Sequence, residues 1–262
     1  PGVDSRRVTG QAEWRRAMIS PIGVRWEPFV DLRADVYSVG DLPPALGVED
    51  ETYVRTRTSA GVDVSYPLYR RLGAASDLIL EPMAQLSISN KADLDRRIPN
   101  EDSQITELDH LSLFRMDRFP GYDLLEGGLR FTAGARATLR WDEVRSASLF
   151  IGRSMRADDA DAYLTPIPDD PTRLYDPSGL ADRTSDWVVQ GAFNPSDRMR
   201  GWFHATIDGN GEVRRAEATV DGRWGRRNLA SLNYIVDRSN PRAGPENSNY
   251  EFVQLSGHKF LY

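Results

Sequence analysis

The chain has 262 residues, with 33 Lys+Arg against 39 Asp+Glu and a net charge of −6. The basic residues stand singly along the chain, which excludes the clustered positive surface of a nucleic-acid binder. There is no cysteine and no run of 18 apolar residues, which excludes disulfides, thiolate metal sites and a transmembrane helix.

The dominant signal along the chain is alternation with a period of two. Strands are predicted near 11–19, 24–39, 52–68, 76–90, 128–141, 145–156, 185–194, 199–208, 212–224, 228–238 and 250–262. Successive strand side chains point to opposite faces, so each alternating run has one apolar and one polar face. In 58–68, Thr58, Ala60, Val62, Val64, Tyr66 and Leu68 oppose Ser59, Gly61, Asp63 and Ser65. In 78–89, Leu78, Leu80, Ala84, Leu86 and Ile88 oppose Glu81, Gln85, Ser87 and Ser89, with Ile79 and Met83 as exceptions. In 129–141, Leu129, Phe131, Ala133, Ala135, Ala137, Leu139 and Trp141 oppose Arg130, Thr132, Gly134, Arg136, Thr138 and Arg140. In 213–224, Ala216, Ala218, Val220 and Trp224 oppose Arg215, Glu217, Thr219, Asp221 and Arg223. In 229–236 the split recurs, with Leu229 and Ile235 breaking the polar side.

Many of these runs exceed the roughly 5–6 residues of globular strands and reach the about 9–11 that a tilted membrane strand needs. Short turns at 20–23, 69–75, 142–144, 195–198 and 225–227 alternate with mostly long links at 40–51, 91–127, 157–184 and 239–249. Outer-membrane barrels alternate short periplasmic turns with long extracellular loops in this way. Keeping that parity requires 91–127 to be a single excursion between two strands. Trp14, Trp26, Tyr37, Tyr66, Trp141, Trp187, Trp202 and Trp224 are placed in interfacial aromatic belts. The fold class expected is all-β, an antiparallel transmembrane β-barrel of which about 11 strands are present. Residues 1–262 form part of one barrel domain without a second domain, and both ends read as cut.

Leu80-Glu81-Pro82-Met83-Ala84-Gln85 leads into Ile98-Pro99-Asn100-Glu101-Asp102-Ser103, then Leu113-Phe114. Asp117-Arg118-Phe119-Pro120-Gly121-Tyr122-Asp123 and Glu126-Gly127-Gly128-Leu129-Arg130 follow. This order resembles the C-terminal barrel of the lipopolysaccharide-assembly family (LptD, the organic solvent tolerance protein family). Ser20-Pro21-Ile22-Gly23, Pro28-Phe29 and Tyr66-Pro67-Leu68 are similar to it in order and spacing. The sequence departs from the pattern at Leu124, where a basic residue is expected.

The resemblance implies a very large barrel, closed by strands outside this chain, that inserts lipopolysaccharide into the outer leaflet of the Gram-negative outer membrane. It implies a lipoprotein plug (LptE) in the lumen and a periplasmic bridge protein (LptA) that docks on a jelly-roll domain outside this chain. Outer-membrane lipid surrounds the barrel, and neither enzymatic activity nor a cofactor is implied. Asn100, Glu101, Asp102, Ser103, Arg118, Gly121 and Asp123 form the family-motif loop. The alternative function is a porin-like passive channel or another outer-membrane barrel.

Arg130, Arg136, Arg140, Glu217, Asp221 and Arg223 are candidate lumen-wall residues. The arginines suit the phosphates of lipopolysaccharide or a plug protein, since guanidinium binds phosphate bidentately. The competing reading is a solvated wall whose charges pair across strands. Asn100 to Ser103 fits loop docking better than a divalent cation site, because the spacing matches no calcium-loop template. Asp109, His110 and Ser112 carry triad residue types but are expected on alternating strand faces, unable to converge. Gly121 and Gly127-Gly128 are expected to serve turns at positive φ. The loop 157–184, with Asp158, Asp159, Asp161, Asp169 and Asp170, is expected to be solvated and flexible.

Overall fold

A computed structural model describes residues 4–40, 51–90, 100–103, 106–167, 170–225, 228–239 and 250–258. The strands are β1 (Asp4–Arg15), β2 (Met18–Ile19), β3 (Arg25–Gly40), β4 (Glu51–Ser65), β5 (Leu68–Arg71) and β6 (Asp77–Ser89). They continue as β7 (Gly128–Arg140), β8 (Ser146–Arg156), β9 (Thr165–Ile167), β10 (Asp170–Tyr175), β11 (Trp187–Ser196) and β12 (Met199–Ile207). The last three are β13 (Val213–Trp224), β14 (Asn228–Asp237) and β15 (Tyr250–His258).

Eleven strands run as an antiparallel meander in the order β1-β3-β4-β6-β7-β8-β11-β12-β13-β14-β15, and β2 and β5 extend it to a 13-stranded sheet. Among the described residues the sheet does not close on itself, as befits part of a barrel. Every pairing in the meander is between neighbours, so the long links all leave from one end, which also carries the tight turn Asp208–Glu212, and the remaining short turns leave from the other.

The faces are inverted relative to a water-soluble sheet. Along β3, Asp31, Arg33, Asp35 and Tyr37 are buried while Val30, Leu32 and Val36 are exposed. Buried charge opposite an exposed apolar belt is the pattern of a strand with lipid outside and a polar interior within.

The first strand begins seven residues earlier than 11–19 suggests. Its outer row carries only Val8, Ala12 and Trp14 as apolar members, so the alternation is faint in sequence, yet β1 pairs with β3 from Asp4 to Arg15. The strand expected over 52–68 is also two strands. β4 stops pairing at Ser65 opposite Met83, and β5 resumes at Leu68 opposite Leu80. The gap places Pro67 beside Glu81-Pro82, and neither proline has an N–H to continue the ladder. The expected turn at 69–75 is accordingly shorter, because Leu68–Arg71 is strand.

Two aromatic assignments are corrected by register. Tyr37 lies on the inner face and is buried, and Trp202 pairs with Ala192 and Thr219, which places it on the inner face as well. Trp14, Trp26, Trp187 and Trp224 sit on the outer face and are exposed.

Candidate functional site

The link after β6 returns into the concave side of the sheet and docks on the charged inner wall. Its described part has no strand, only a 3-10 turn at Ser112–Phe114. Leu113 is completely buried, Phe119 and Leu125 nearly so. Leu113 enters a hole that glycine makes in the wall. A Cβ on Gly152 would stand 2.7 Å from Leu113 Cδ2 and 2.7 Å from the Phe150 ring.

Three carboxylate–arginine clusters fasten the loop. In the first, Asp35 of β3, fully buried, accepts from Arg33 (2.8 and 2.9 Å), Arg55 of β4 (3.0 Å) and Thr9 of β1 (2.9 Å). Held in that fork, both guanidinium groups donate to the Tyr122 carbonyl, at 2.6 Å from Arg33 and 2.5 Å from Arg55. Arg55 also donates to the Asp123 carbonyl at 2.6 Å, and the Tyr37 hydroxyl reaches the Tyr122 carbonyl at 3.1 Å. Arg7 of β1 then pairs with Asp123 at 2.6 Å and Asp102 at 3.0 Å.

Asp102 and Asp123 also clasp each other's backbone. Asp102 Oδ1 accepts the N–H groups of Tyr122 and Asp123, both at 2.9 Å, and Asp123 Oδ2 accepts those of Glu101 (2.8 Å) and Asp102 (3.1 Å). Short acidic side chains suit this, because they cap backbone N–H groups that a loop otherwise leaves unpaired. Burial works to raise the Asp102 carboxyl, but the N–H donors of Asp123 and Tyr122 hold it down to about 2. Asn100 and Ser103 close their own turn, with the Ser103 N–H donating to Asn100 Oδ1 at 3.0 Å. Gly121 lies against Asp102, where a Cβ would collide with both the carboxylate and the backbone carbonyl. The expected positive φ is found at Gly128 but not at Gly121 or Gly127, for Gly23, Gly128, Gly179, Gly211 and Gly225 are the positive-φ glycines among the described residues. Space, not backbone handedness, demands glycine at 121.

The second cluster runs Asp31–Arg57–Asp117. Arg57 of β4 bonds Asp31 at 2.7 Å and pairs with Asp117 of the loop. Burial pushes the Asp117 carboxyl up to about 6 against the pull of Arg57. The third surrounds Glu126, which is buried among Arg130 (2.6 Å), Arg156 (3.0 Å) and Arg118 (3.5 Å). Burial opposes ionisation there too, but Arg118, Arg130 and Arg156 hold the Glu126 carboxyl down to about 2. Arg118 further donates to Ser154 Oγ at 2.7 Å and to the Leu113 carbonyl at 3.1 Å. Arg130 reaches Gln85 Oε1 at 3.2 Å, and Gln85 in turn donates to the Phe114 carbonyl at 2.6 Å.

The link after β8 is folded as well, against the expectation of a flexible acidic loop. Its apolar minority anchors it: Ala160, Tyr163, Leu180 and Ala181 are buried in one cluster with Leu113, Phe119, Phe150 and Val188. Tyr163 stacks on Phe119 with ring centroids 4.4 Å apart and planes at 16°. Asp176 caps the N–H groups of Ser178, Gly179 and Ala181 at 2.8 to 2.9 Å. Leu124 and Met83 pack on the same cluster, which accounts for an apolar residue at 124 and an apolar exception on the polar row of β6.

Asp109 and Ser112 do converge, because the segment is a 3-10 turn and not a strand. Asp109 Oδ1 accepts from the Leu111 and Ser112 N–H groups at 2.9 and 2.6 Å, while Ser112 Oγ accepts from the Asp109 N–H at 2.8 Å. His110 stands 6.0 Å from the Phe150 ring and joins neither. The pair forms a cap, not a nucleophile and its base.

Arg130, Arg136, Arg140, Glu217, Asp221 and Arg223 all fall on the inner row of their strands. Arg130 is buried under the docked loop, Arg136 lies over the Phe150 ring at 5.8 Å, and Arg140 is exposed at the short-turn end. Glu217 pairs with Arg215 at 2.5 Å, and Asp221 pairs with Arg200 at 2.8 Å. Sequence reasoning missed Arg7, Arg33, Asp35, Arg55 and Arg57. For the four on β3 and β4 alternation was the available signal, but only the fold brings them and Arg7 of β1 to one loop.

A meander of membrane-length strands with an apolar exterior, a charged interior and long loops at one end defines an outer-membrane β-barrel protein. The model of the LPS transport system D family (LptD) matches residues 2–259, and the chain belongs to that family. None of the curated proteins compared matches it. The chain is therefore part of an outer-membrane lipopolysaccharide translocon, in a family of transport proteins, and a porin-like channel is not favoured.

Proposed function

We propose that this chain supplies one wall of a larger barrel, closed by further strands, through which lipopolysaccharide reaches the outer leaflet of the outer membrane. The observation that carries this reading is the inverted sheet. Its exposed outer rows of Val, Leu and Trp suit acyl chains, and its inner rows suit a hydrated saccharide and its phosphates. Arg136 and Arg140, which are not covered by the docked loop, act on the phosphates, and the motif loop from Asn100 to Asp123 holds the interior in shape. The protein does no chemistry on its cargo, which fits a cap at Asp109 and Ser112 in place of a triad.

The open part of the inner face leaves room for a lipoprotein plug of the LptE kind, and a domain outside this chain receives lipopolysaccharide from a bridge protein of the LptA kind. The location is the Gram-negative outer membrane. Photo-crosslinking in cells tests the reading. A photoreactive residue at Thr219, on the inner row, is expected to capture lipopolysaccharide or the plug, and one at Ala218 to capture membrane lipid. Equal capture of the same species at both positions would contradict an inside and an outside.

A further inference from the structure

Between the docked loops and the inner face of β11 to β14 lies a crevice of about 830 Å³. Its floor is Trp202, 41% exposed although it lies on the polar inner row. Beside it on the same face stand Gln190 and His204, paired across β11 and β12. Both side chains are half-buried, with Gln190 Oε1 and His204 Nε2 turned inward and without a hydrogen-bond partner among the described residues, so only their outer edges face the crevice. Around the rim Glu107, Asp109, Glu217 and Asp237 face a single guanidinium, Arg215, which Glu107 and Glu217 already engage at 3.0 and 2.5 Å.

We propose that this crevice is a saccharide subsite of the translocation path, with Trp202 as the platform on which a sugar ring stacks. The proposal rests on the lipopolysaccharide reading above and names the portion of the cargo that passes here. An aromatic plane offers a sugar's C–H face an apolar surface, while amide, imidazole and carboxylate groups at its edge meet the hydroxyls. Four carboxylates against one engaged arginine repel phosphate, so the ring held here is uncharged or carries an amine, and the phosphorylated part of the cargo travels elsewhere. A polypeptide occupant fits less well. Polypeptide anchors concentrate in fully desolvated apolar pockets, whereas this floor is one half-exposed indole among polar groups.

The test is made on the full-length protein with its partners, delivering either long-core lipopolysaccharide or a truncated form with few sugars. Trp202→Ala is expected to slow surface delivery of the long form by about tenfold, the scale of one lost aromatic contact, and to leave the truncated form unchanged. Trp202→Phe is expected to restore most of the rate. A photoreactive residue at Gln190 is expected to capture lipopolysaccharide. Equal slowing of both forms, or no slowing of either, would overturn the subsite while leaving the transport reading intact, and so would capture of polypeptide alone. If no inner-row position captured lipopolysaccharide, the transport path itself would be wrong.

Discussion

Two halves of the same sheet treat their polar faces differently. From β1 to β8 the inner face is covered: Asp31, Arg33, Asp35, Arg55, Arg57, Gln85, Arg130, Thr132 and Ser154 are all buried, each under a docked loop or beside one. From β11 to β15 the inner rows carry the same residue classes, yet among the described residues only Val188 and Thr206 are buried on them. Alternation is equal in the two halves, so patterning does not explain the difference. What the first half has in addition is a set of sockets. Gly152 makes room for Leu113, Gly121 lets the loop close on Asp102, and three fixed carboxylate–arginine clusters match loop carbonyls and carboxylates. A polar wall becomes a docking surface when its charges are pre-oriented by their neighbours, because a buried arginine then meets its partner without further ordering.

The comparison is most severely strained by removing Glu126. Glu126→Ala leaves Arg118, Arg130 and Arg156 buried around a lost charge, and breaking such a cluster costs about 3–5 kcal/mol. The loop is expected to become cleavable by trypsin in the intact barrel, and an uncut loop would show that the cluster does not hold it. Leu113→Ala comes next, at about 2–4 kcal/mol for an emptied socket. It should lower the melting temperature of the barrel, while Leu232→Ala on the exposed outer row should move it far less. Gly121→Ala follows, at about 1–3 kcal/mol, from overpacking against Asp102. Hydrogen exchange at the Tyr122 and Asp123 amides should accelerate.

The pH dependence sharpens the same contrast. Asp102 and Glu126 titrate in the folded protein at about 2, below their ordinary 3.8 and 4.5, so the docking they support is complete above roughly pH 4.5 and is lost as pH falls towards 2. Asp117 has the opposite sign. Raised from 3.8 to about 6, it favours docking most below pH 3.8, and that contribution disappears as pH rises through 6. Protease resistance of the loop should therefore hold or rise from pH 7 to 5 and collapse only below 4.5. Asp117→Asn should abolish the rise and leave the collapse. The smallest effect belongs to the open half, where Thr219→Ala should change stability by no more than about 0.5 kcal/mol.

Much of the architecture could be read from the sequence because a period of two survives any detail of packing. The run from Leu129 to Trp141 alternates without a break and is strand β7 to within a residue at each end. The first strand was harder, since Val8 is the one large apolar residue in its first half. The motif residues Asp102, Arg118, Gly121 and Asp123 could be singled out, but not the wall that receives them. Arg33 and Arg55 look like any polar-row arginines until β3 and β4 are bent around a loop about 70 to 90 residues away in the chain. Tyr163 and Leu180 were hidden for a related reason. In a segment dominated by aspartate and proline, a few apolar residues give no periodicity, and their burial depends on Phe119 and Phe150 supplied from elsewhere.

The most direct measurement of the central claim is thiol accessibility on the two inner faces. The chain has no cysteine, so single substitutions report cleanly. Ser87→Cys and Ser154→Cys lie under the docked loop, and Thr219→Cys lies on the uncovered half. In the full-length protein, labelling by a small hydrophilic maleimide is expected to be about a hundredfold slower at 87 and 154 than at 219, because reaction there waits for the loop to open. Equal rates at all three positions would contradict a loop packed down on one half of the wall and only reaching the margin of the other.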